Sequence, residues 1–502
     1  MSTRKQYREW TPDQSYLFPP SPRDWLDEGH LVYFLIDLMG ELDLSAIEDA
    51  IQAKDPRGER PFDPRMMVAL LLYAYCVGIF SSRRIEKATY SDVAFRVLTG
   101  GEHPHFTSIC AFRRKHLSAL SGLFVQVLKL CAKAGMVKLG HVAIDGTKIQ
   151  ANASKHKAMS YERMLAAEKR LQAKVDELMK RAEGVDQSDD ERLGPEGRDD
   201  ELPDELKRQQ ERLAAIRKAK SELEAEARKA RAAHRRALAD GCDARAQAAE
   251  DEGSRKRNEA LSRRHREEAD KLDDDDSDDP PFTTPEGLPM HRPKTLPDGT
   301  PDPKAQRNFT DPDSRLMESN GAFLQGYNCQ AAVDEESQLI VGKGLTNQAP
   351  DAGNLGPLLD DVVNNCGRAP KALTGDAGFW CAAVDEHCAR HGTIAYVSTE
   401  RRKHWDDDET VTEGMAPAEA SPRERMRHRV RTAEGRAIYA RRKATVEPVF
   451  GQMKEARGFR RFLLRGIEKV RAEWTLICLT HNLLKLFRAI RVPAVTEVAA
   501  IS

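Results

Sequence analysis

The run Gly140-His-Val-Ala-Ile-Asp-Gly-Thr-Lys-Ile-Gln-Ala-Asn152 constrains the fold of this chain more than any other stretch. Val142 and Ile144 alternate with small or polar neighbours, the pattern of a buried strand. That strand is expected to end in a carboxylate, Asp145, because Gly146 follows and lets the backbone turn at once. Lys371-Ala-Leu-Thr-Gly-Asp-Ala-Gly-Phe379 repeats the design, with Asp376 between glycines.

A long charged segment separates these two strands. Residues 160–181 and 204–239 are rich in Ala, Glu, Lys, Arg and Leu at helical spacing. Leu165, Leu171, Val175 and Leu178 form one apolar stripe; Leu206, Leu213, Ile216 and Leu223 form another. A Gly/Asp/Pro-rich gap over 184–203 joins them. The pattern predicts an antiparallel helical hairpin, with a partly disordered charged insertion as the alternative. Residues 270–303, acidic and then proline-rich, read as a linker.

Before the first strand the chain is helical. Residues 1–60 are a mixed lead-in: a turn at Pro19-Pro20-Ser-Pro22, then amphipathic helices between Asp24 and Leu42. Asp63 caps the next helix and Pro64 takes its first position. That helix, Arg65 to Ile79, is apolar on most faces and is expected at the centre of a helical domain. Ser81 or Ser82 caps another, and Thr107 caps one that carries Phe112, Arg113, Arg114, Lys115 and His116. The last helix of the block runs from Leu120 to Met136. The basic run admits a helix-turn-helix reading, with Arg113 and Arg114 facing DNA; the alternative is a solvated charged face.

After the charged segment come a strand over 320–334, a partner over 337–345, and a helix with Leu355, Leu358, Leu359 and Val362 that Asp351 can cap. The Asp376 strand is next, then a helix over 380–391, the strand Thr393–Ser398, the basic segment containing Glu447, and an apolar helix over 474–487. Pro448 disfavours helical geometry at Glu447, so a kink there, or a restart capped from Thr445, is expected. The element order is that of the ribonuclease-H-like fold. The fold class is therefore α/β: a ribonuclease-H-like mixed sheet flanked by helices, with an all-α N-terminal domain and a helical charged insertion. Domain boundaries follow: 1–60 lead-in, 61–136 all-α DNA-binding domain, 137–157 with 305–490 catalytic domain, 158–304 insertion and linker.

Net charge is −1 over 502 residues, which by itself argues against a generic nucleic-acid binder. The distribution says more. Arg423 to Arg471 holds sixteen Lys/Arg against five Asp/Glu, while residues 267–281 hold nine acids and one base. Nine cysteines without framework spacing point to a reducing compartment. Cys381, Cys388 and His391 share a helix face but match no zinc spacing, and read as packing. Phe379 and Trp380 also read as core residues rather than base-stacking platforms. The N-terminus lacks a signal-peptide core, and the longest apolar run, Met66 to Phe80, is too short to span a bilayer. A cytoplasmic, nucleoid-associated protein with no membrane partner is the expectation.

Two strand-borne aspartates and a helical glutamate suit two-metal phosphoryl transfer. Two Mg²⁺ ions about 3.5–4 Å apart activate the nucleophile and stabilise the leaving oxygen. Mg²⁺ needs few carboxylates because it keeps several waters. In this reading Asp145 bridges the metals, Asp376 and Glu447 each complete one, and Mn²⁺ can substitute. Each acid alone is more often a turn former or an ion-pair partner. Tyr439, Arg442, Lys443, Lys454 and Arg457 lie near Glu447 and are candidates to hold flanking phosphates.

At these residues the sequence resembles the DDE transposases of bacterial insertion sequences. The matching pieces are Ile144–Ser154, Gly326-Tyr-Asn-Cys-Gln-Ala-Ala-Val-Asp334, Leu345-Thr-Asn-Gln348, Thr374-Gly-Asp-Ala-Gly-Phe379, and Thr445-Val-Glu-Pro-Val-Phe-Gly-Gln-Met-Lys454 with Gly458-Phe-Arg-Arg-Phe462. The helical block from Pro61 to His116 resembles that group's N-terminal domain. The resemblance implies Asp145, Asp376 and Glu447 as the catalytic acids, Mg²⁺ dependence, and double-stranded DNA partners: terminal inverted repeats and target. It also implies a homodimer on DNA. It brings a Tyr-Arg-Glu-Lys signature, carried by Tyr439, Arg442, Glu447 and Lys454. Tyr439 and Arg442 sit one residue further from Glu447 than that pattern expects, so Lys443 is the alternative in the Arg role. The alternatives in function are a metal-dependent nuclease without strand transfer and a non-catalytic DNA-binding regulator of the element.

Overall fold

The computed structural model describes residues 21–53, 60–193, 204–272, 282–319, 321–400 and 411–491, with side chains at all of these except 22, 23 and 181–193. The chain divides into two compact units, Met1–Val127 with Leu479–Ser502, and Leu128–Cys478.

The first unit is helical: α1 (Leu31–Leu38), α2 (Ser45–Gln52), α3 (Pro64–Cys76), α4 (Ser82–Ser91), α5 (Val93–Thr99), α6 (Phe106–Lys115) and the start of α7 (Leu117–Lys133). As expected, α3 is its centre: every residue from Met67 to Cys76 is buried. Asp63 caps it, its Oδ1 accepting the Arg65 and Met66 amides at 2.7 and 3.2 Å, with Pro64 in the first turn. Two cap expectations change. The Ser81 side chain makes no cap bond, and α6 is capped by His105 rather than Thr107, Nδ1 accepting the Thr107 amide.

The second unit is built on a mixed sheet of β1 (His141–Gln150), β4 (Arg315–Ser319), β5 (Ala322–Asp334), β6 (Ile340–Thr346), β7 (Ala372–Gly375) and β8 (Ile394–Val397). Along the path β6-β5-β1-β7-β8 two antiparallel pairs, β6 with β5 and β5 with β1, are followed by two parallel ones, β1 with β7 and β7 with β8. This arrangement is consistent with the ribonuclease-H-like class read from the element order. Around it lie α11 (Leu355–Cys366), α12 (Val384–Arg390), α13 (Pro422–Arg431), α14 (Ala433–Gly451) and the part of α15 (Ile467–Arg491) up to Cys478. β4 was not anticipated; it forms a hairpin with the first residues of β5.

The charged segment leaves and returns through a two-stranded ribbon, β2 (Ala158–Ser160) against β3 (Gln306–Asn308). The expected hairpin is there, α8 (Tyr161–Leu193) packing antiparallel on α9 (Asp204–Gln247), and among the described residues a third helix follows, α10 (Glu252–Asp270). α8 continues to Leu193, into the region expected as a gap; residues 194–203 lie outside the described residues. The packed stripe of α8 runs through Met164, Ala167, Leu171 and Val175, whereas Leu165 faces solvent. Glu226 of α9 ties the segment to the ribbon through Arg307 of β3 and to the sheet through Arg315 of β4, each at 2.7 Å.

Part of the expected linker is packed structure. Leu288 is fully buried, seated where Gly344 of β6 leaves room, and the His291 amide donates to Asn347 Oδ1 at 2.8 Å. Residues 273–281 lie outside the described residues. The helix expected over 380–391 is shorter, beginning at Val384, with Phe379 buried in the turn before it. α14 is continuous through Pro448 from an N-cap at Thr432, and a single π turn over Gln452–Ala456 follows it. No helix among the described residues is long and apolar enough to cross a membrane.

Candidate active site

Asp145 does not end its strand. β1 runs five residues beyond it to Gln150, because Gly146 stays in register opposite Gln330 of β5. Asp376 follows β7 directly, and β7 pairs with β1 up to Ala143–Thr374. Adjacent parallel strands thus carry the two aspartates to the same end of the sheet.

A third carboxylate lies with them. Asp351, expected as a helix cap, caps nothing; Asn354 holds that position. Its oxygens instead accept from Asn328 Nδ2 at 2.7 Å, Gln330 Nε2 at 2.8 Å and Lys148 Nζ at 3.2 Å. The glycines around it leave the space. A Cβ on Gly146 would fall 2.6 Å from Asp351 Oδ1, and one on Gly378 would fall 3.0 Å from Asp376 Oδ1 and 3.4 Å from Asp351 Oδ2. Sequence spacing placed Asp351 before an amphipathic helix, where an aspartate reads as a cap; its partners come from β1 and β5.

Burial pushes the Asp145 carboxyl up to about 6. Arg442 opposes this, its Nη1 3.2 Å from Asp145 Oδ2, while the charges of Asp376 and Asp351 add to the rise. Tyr439, on the same helix, lies beneath the Arg442 guanidinium, 5.8 Å from its ring centre.

Glu447 stands on the exposed flank of α14. It lies between two residues of that segment that touch β1: Arg442, bonded to Asp145, and Lys454, which donates to the Thr147 hydroxyl. Among the described residues, Asp145, Asp376 and Glu447 do not form a trio with all ligand atoms within 4.8 Å of one another. Pro448 leaves the Ala444 carbonyl without its helical donor, and Gln338 Nε2 supplies one at 3.2 Å.

The expected phosphate-holding residues divide by burial. Lys443 and Arg114 are exposed. Three of the arginines face inward instead. Arg113 donates to the Tyr75 hydroxyl and the Phe80 carbonyl, both at 3.0 Å. Arg457 is buried, with Nη2 3.3 Å from the Ile477 carbonyl, and Arg442 is committed to Asp145. Basic surface comes instead from Gly458-Phe-Arg-Arg-Phe462. Phe459 and Phe462 are buried, which leaves Arg460 and Arg461 exposed at the far end of β1, bridged to Gln150. Asn152 fixes this loop, accepting from Arg461 at 2.8 Å and donating to the Leu463 carbonyl at 2.7 Å.

Residues 400–487 match the family model described as transposase DDE domain, and residues 20–115 match the one described as transposase domain (DUF772). These matches support a DDE transposase of the insertion-sequence type. The first match covers α13, α14 and most of α15, including Glu447 and Lys454; the second covers α1 to α6. No curated protein and no solved structure matches the chain.

Proposed function

We propose that this protein is a transposase that cleaves the ends of its element in a metal-dependent reaction and joins the freed 3′-hydroxyl to target DNA, with Asp145, Asp376 and Glu447 as its catalytic acids. The observation that carries the reading is the placing of Asp145 and Asp376 at one end of adjacent parallel strands, close enough for Asp376 and Asp351 to raise the Asp145 pKa by repulsion. Such crowding suits a divalent cation. The buried Asn328 Oδ1 and Gln330 Oε1, which meet no hydrogen-bond donor, add hard oxygen atoms beside it. Asp145, Asp376 and Glu447 would hold Mg²⁺, with Mn²⁺ as substitute. When bound, the ions supply the charge that activates the attacking oxygen and stabilises the leaving one.

The protein's own groups have separate tasks. Arg442 neutralises Asp145 while no cation does so, and is then in place to meet a phosphate oxygen. Lys454, held on Thr147, and Lys148, held on Asp351, fix positive charge along β1. Arg460, Arg461 and Lys443 offer exposed charge to the DNA backbone. Synapsis of two ends calls for a homodimer on DNA, at work in the cytoplasm on the nucleoid.

Incubation with duplexes carrying the element's ends and Mg²⁺ tests this. Cleavage should leave a 3′-hydroxyl at the element terminus, and pre-cut ends should join to target DNA. Asp145→Asn, Asp376→Asn and Glu447→Gln should each reduce both reactions by about a hundredfold or more while end binding persists. Cleavage without joining would reduce the protein to a nuclease. Full activity in any of the three variants would remove that acid from the site.

A further inference from the structure

Away from the aspartates, two helices bring a different donor set together. α11 presents Gly356 and Asp360, four residues apart and so on one face; α12 presents His387, and His391 at its C-cap, with the same spacing. His387 Nε2 and His391 Nε2 lie 2.9 and 2.8 Å from the same oxygen, Asp360 Oδ1. Among the described residues this is the trio of metal-ligating side chains whose donor atoms all fall within 4.8 Å of one another.

The His387 ring is seated by shape. A Cβ on Gly356 would come 3.1 Å from its Cε1 and Nδ1, so glycine there makes the place in which the ring rests. His387 is thus held by α11 twice, through Gly356 and through Asp360. Both imidazoles aim the same nitrogen at one carboxylate, and all three side chains are only partly buried, so an ion can reach them.

We propose that Asp360, His387 and His391 form a binding site for a borderline transition ion of the Zn²⁺ class. Two imidazole nitrogens and a carboxylate oxygen match Zn²⁺, with bonds of about 2.0–2.2 Å, and disfavour Mg²⁺, which takes oxygen. Three protein donors leave a fourth position to water. The two N–H···O contacts to Asp360 give way to metal bonds when each ring carries its proton on Nδ1. For His387 that requires the exposed Arg390, 3.1 Å from Nδ1, to swing away. The ion would pin α11 to α12, the helix that closes the turn after Asp376. It therefore braces the loop carrying one catalytic acid without entering the reaction.

The test uses the full chain with Asp145→Asn, Asp376→Asn and Glu447→Gln, which removes the proposed catalytic acids as competing ligands. Equilibrium dialysis should find one Zn²⁺ per chain, and Co²⁺ should show visible bands without a thiolate charge-transfer band. Adding His391→Gln or Asp360→Asn should weaken binding roughly tenfold or more. It should also abolish the rise in thermal unfolding midpoint that Zn²⁺ gives the parent. No bound ion in the parent, undiminished binding in both added variants, or a thiolate band would overturn the proposal. Because the catalytic acids are absent throughout, failure here leaves the transposase reading standing.

Discussion

Arg442 reaches Asp145 with only 9 % of its side chain exposed and Asp145 only 21 %, so each charge depends on the other for what water would otherwise supply. Burial holds the Asp145 carboxyl at about 6, above its ordinary 3.8. The unfolded chain therefore sheds this proton first, and the folded state loses stability as pH rises through that interval. Arg442 limits the loss. Arg442→Met, which keeps the volume, should destabilise the protein by about 2–3 kcal/mol at pH 8. The effect should be much smaller at pH 5, where Asp145 can keep its proton; denaturant unfolding at the two pH values measures the difference. At this scale the sequence was legible for the strand-borne aspartates, because alternation and glycine are local signals. It was not legible for Arg113, Arg442 and Arg457. A basic residue in a basic stretch reads as solvated, and whether it is buried depends on an acceptor brought by distant chain. Asp351 was misread for the same reason.

Elements were easier to find than to bound. Capping chemistry located α3 at Asp63-Pro64, but Gly146 did not stop β1, since ladder partners on β5 outweigh its freedom to turn. Pro448 was expected to kink or restart the helix; α14 does not restart there, and the orphaned Ala444 carbonyl finds Gln338. That substitution of one donor for another makes a prediction. Gln338→Met should cost about 0.5–1 kcal/mol, the usual net worth of one hydrogen bond. With Pro448→Ala, which restores a backbone N–H to Ala444, the same change should be nearly neutral. A double-mutant cycle in denaturant reads the difference, and equal costs in both backgrounds would assign Gln338 another role. The insertion's third helix, α10, escaped notice because its sequence is nearly all charged; it packs on α9 with few apolar residues.

Across the whole molecule, the excess of basic residues after Arg423 is real in sequence but uneven in space. Members such as Lys443 and Arg461 face solvent, while Arg457 is buried and bonded to the Ile477 carbonyl. Two kinds of variant should therefore separate. Lys443→Ala and Arg461→Ala should each lower the slope of log affinity for DNA against log salt by about one. Arg457→Ala should lower the unfolding midpoint instead. Binding isotherms at several salt concentrations beside thermal melts make the comparison.

The central claim is that Asp145, Asp376 and Glu447 share divalent ions, although Glu447 stands on the exposed flank of α14. Crystals of the protein with an end duplex and Mn²⁺, measured for anomalous scattering, address it directly. The account predicts peaks between Asp145 and Asp376, with the Glu447 carboxylate turned in to ligate. Manganese bound by the two aspartates with Glu447 still facing solvent, or no manganese at this end of the sheet, would contradict it.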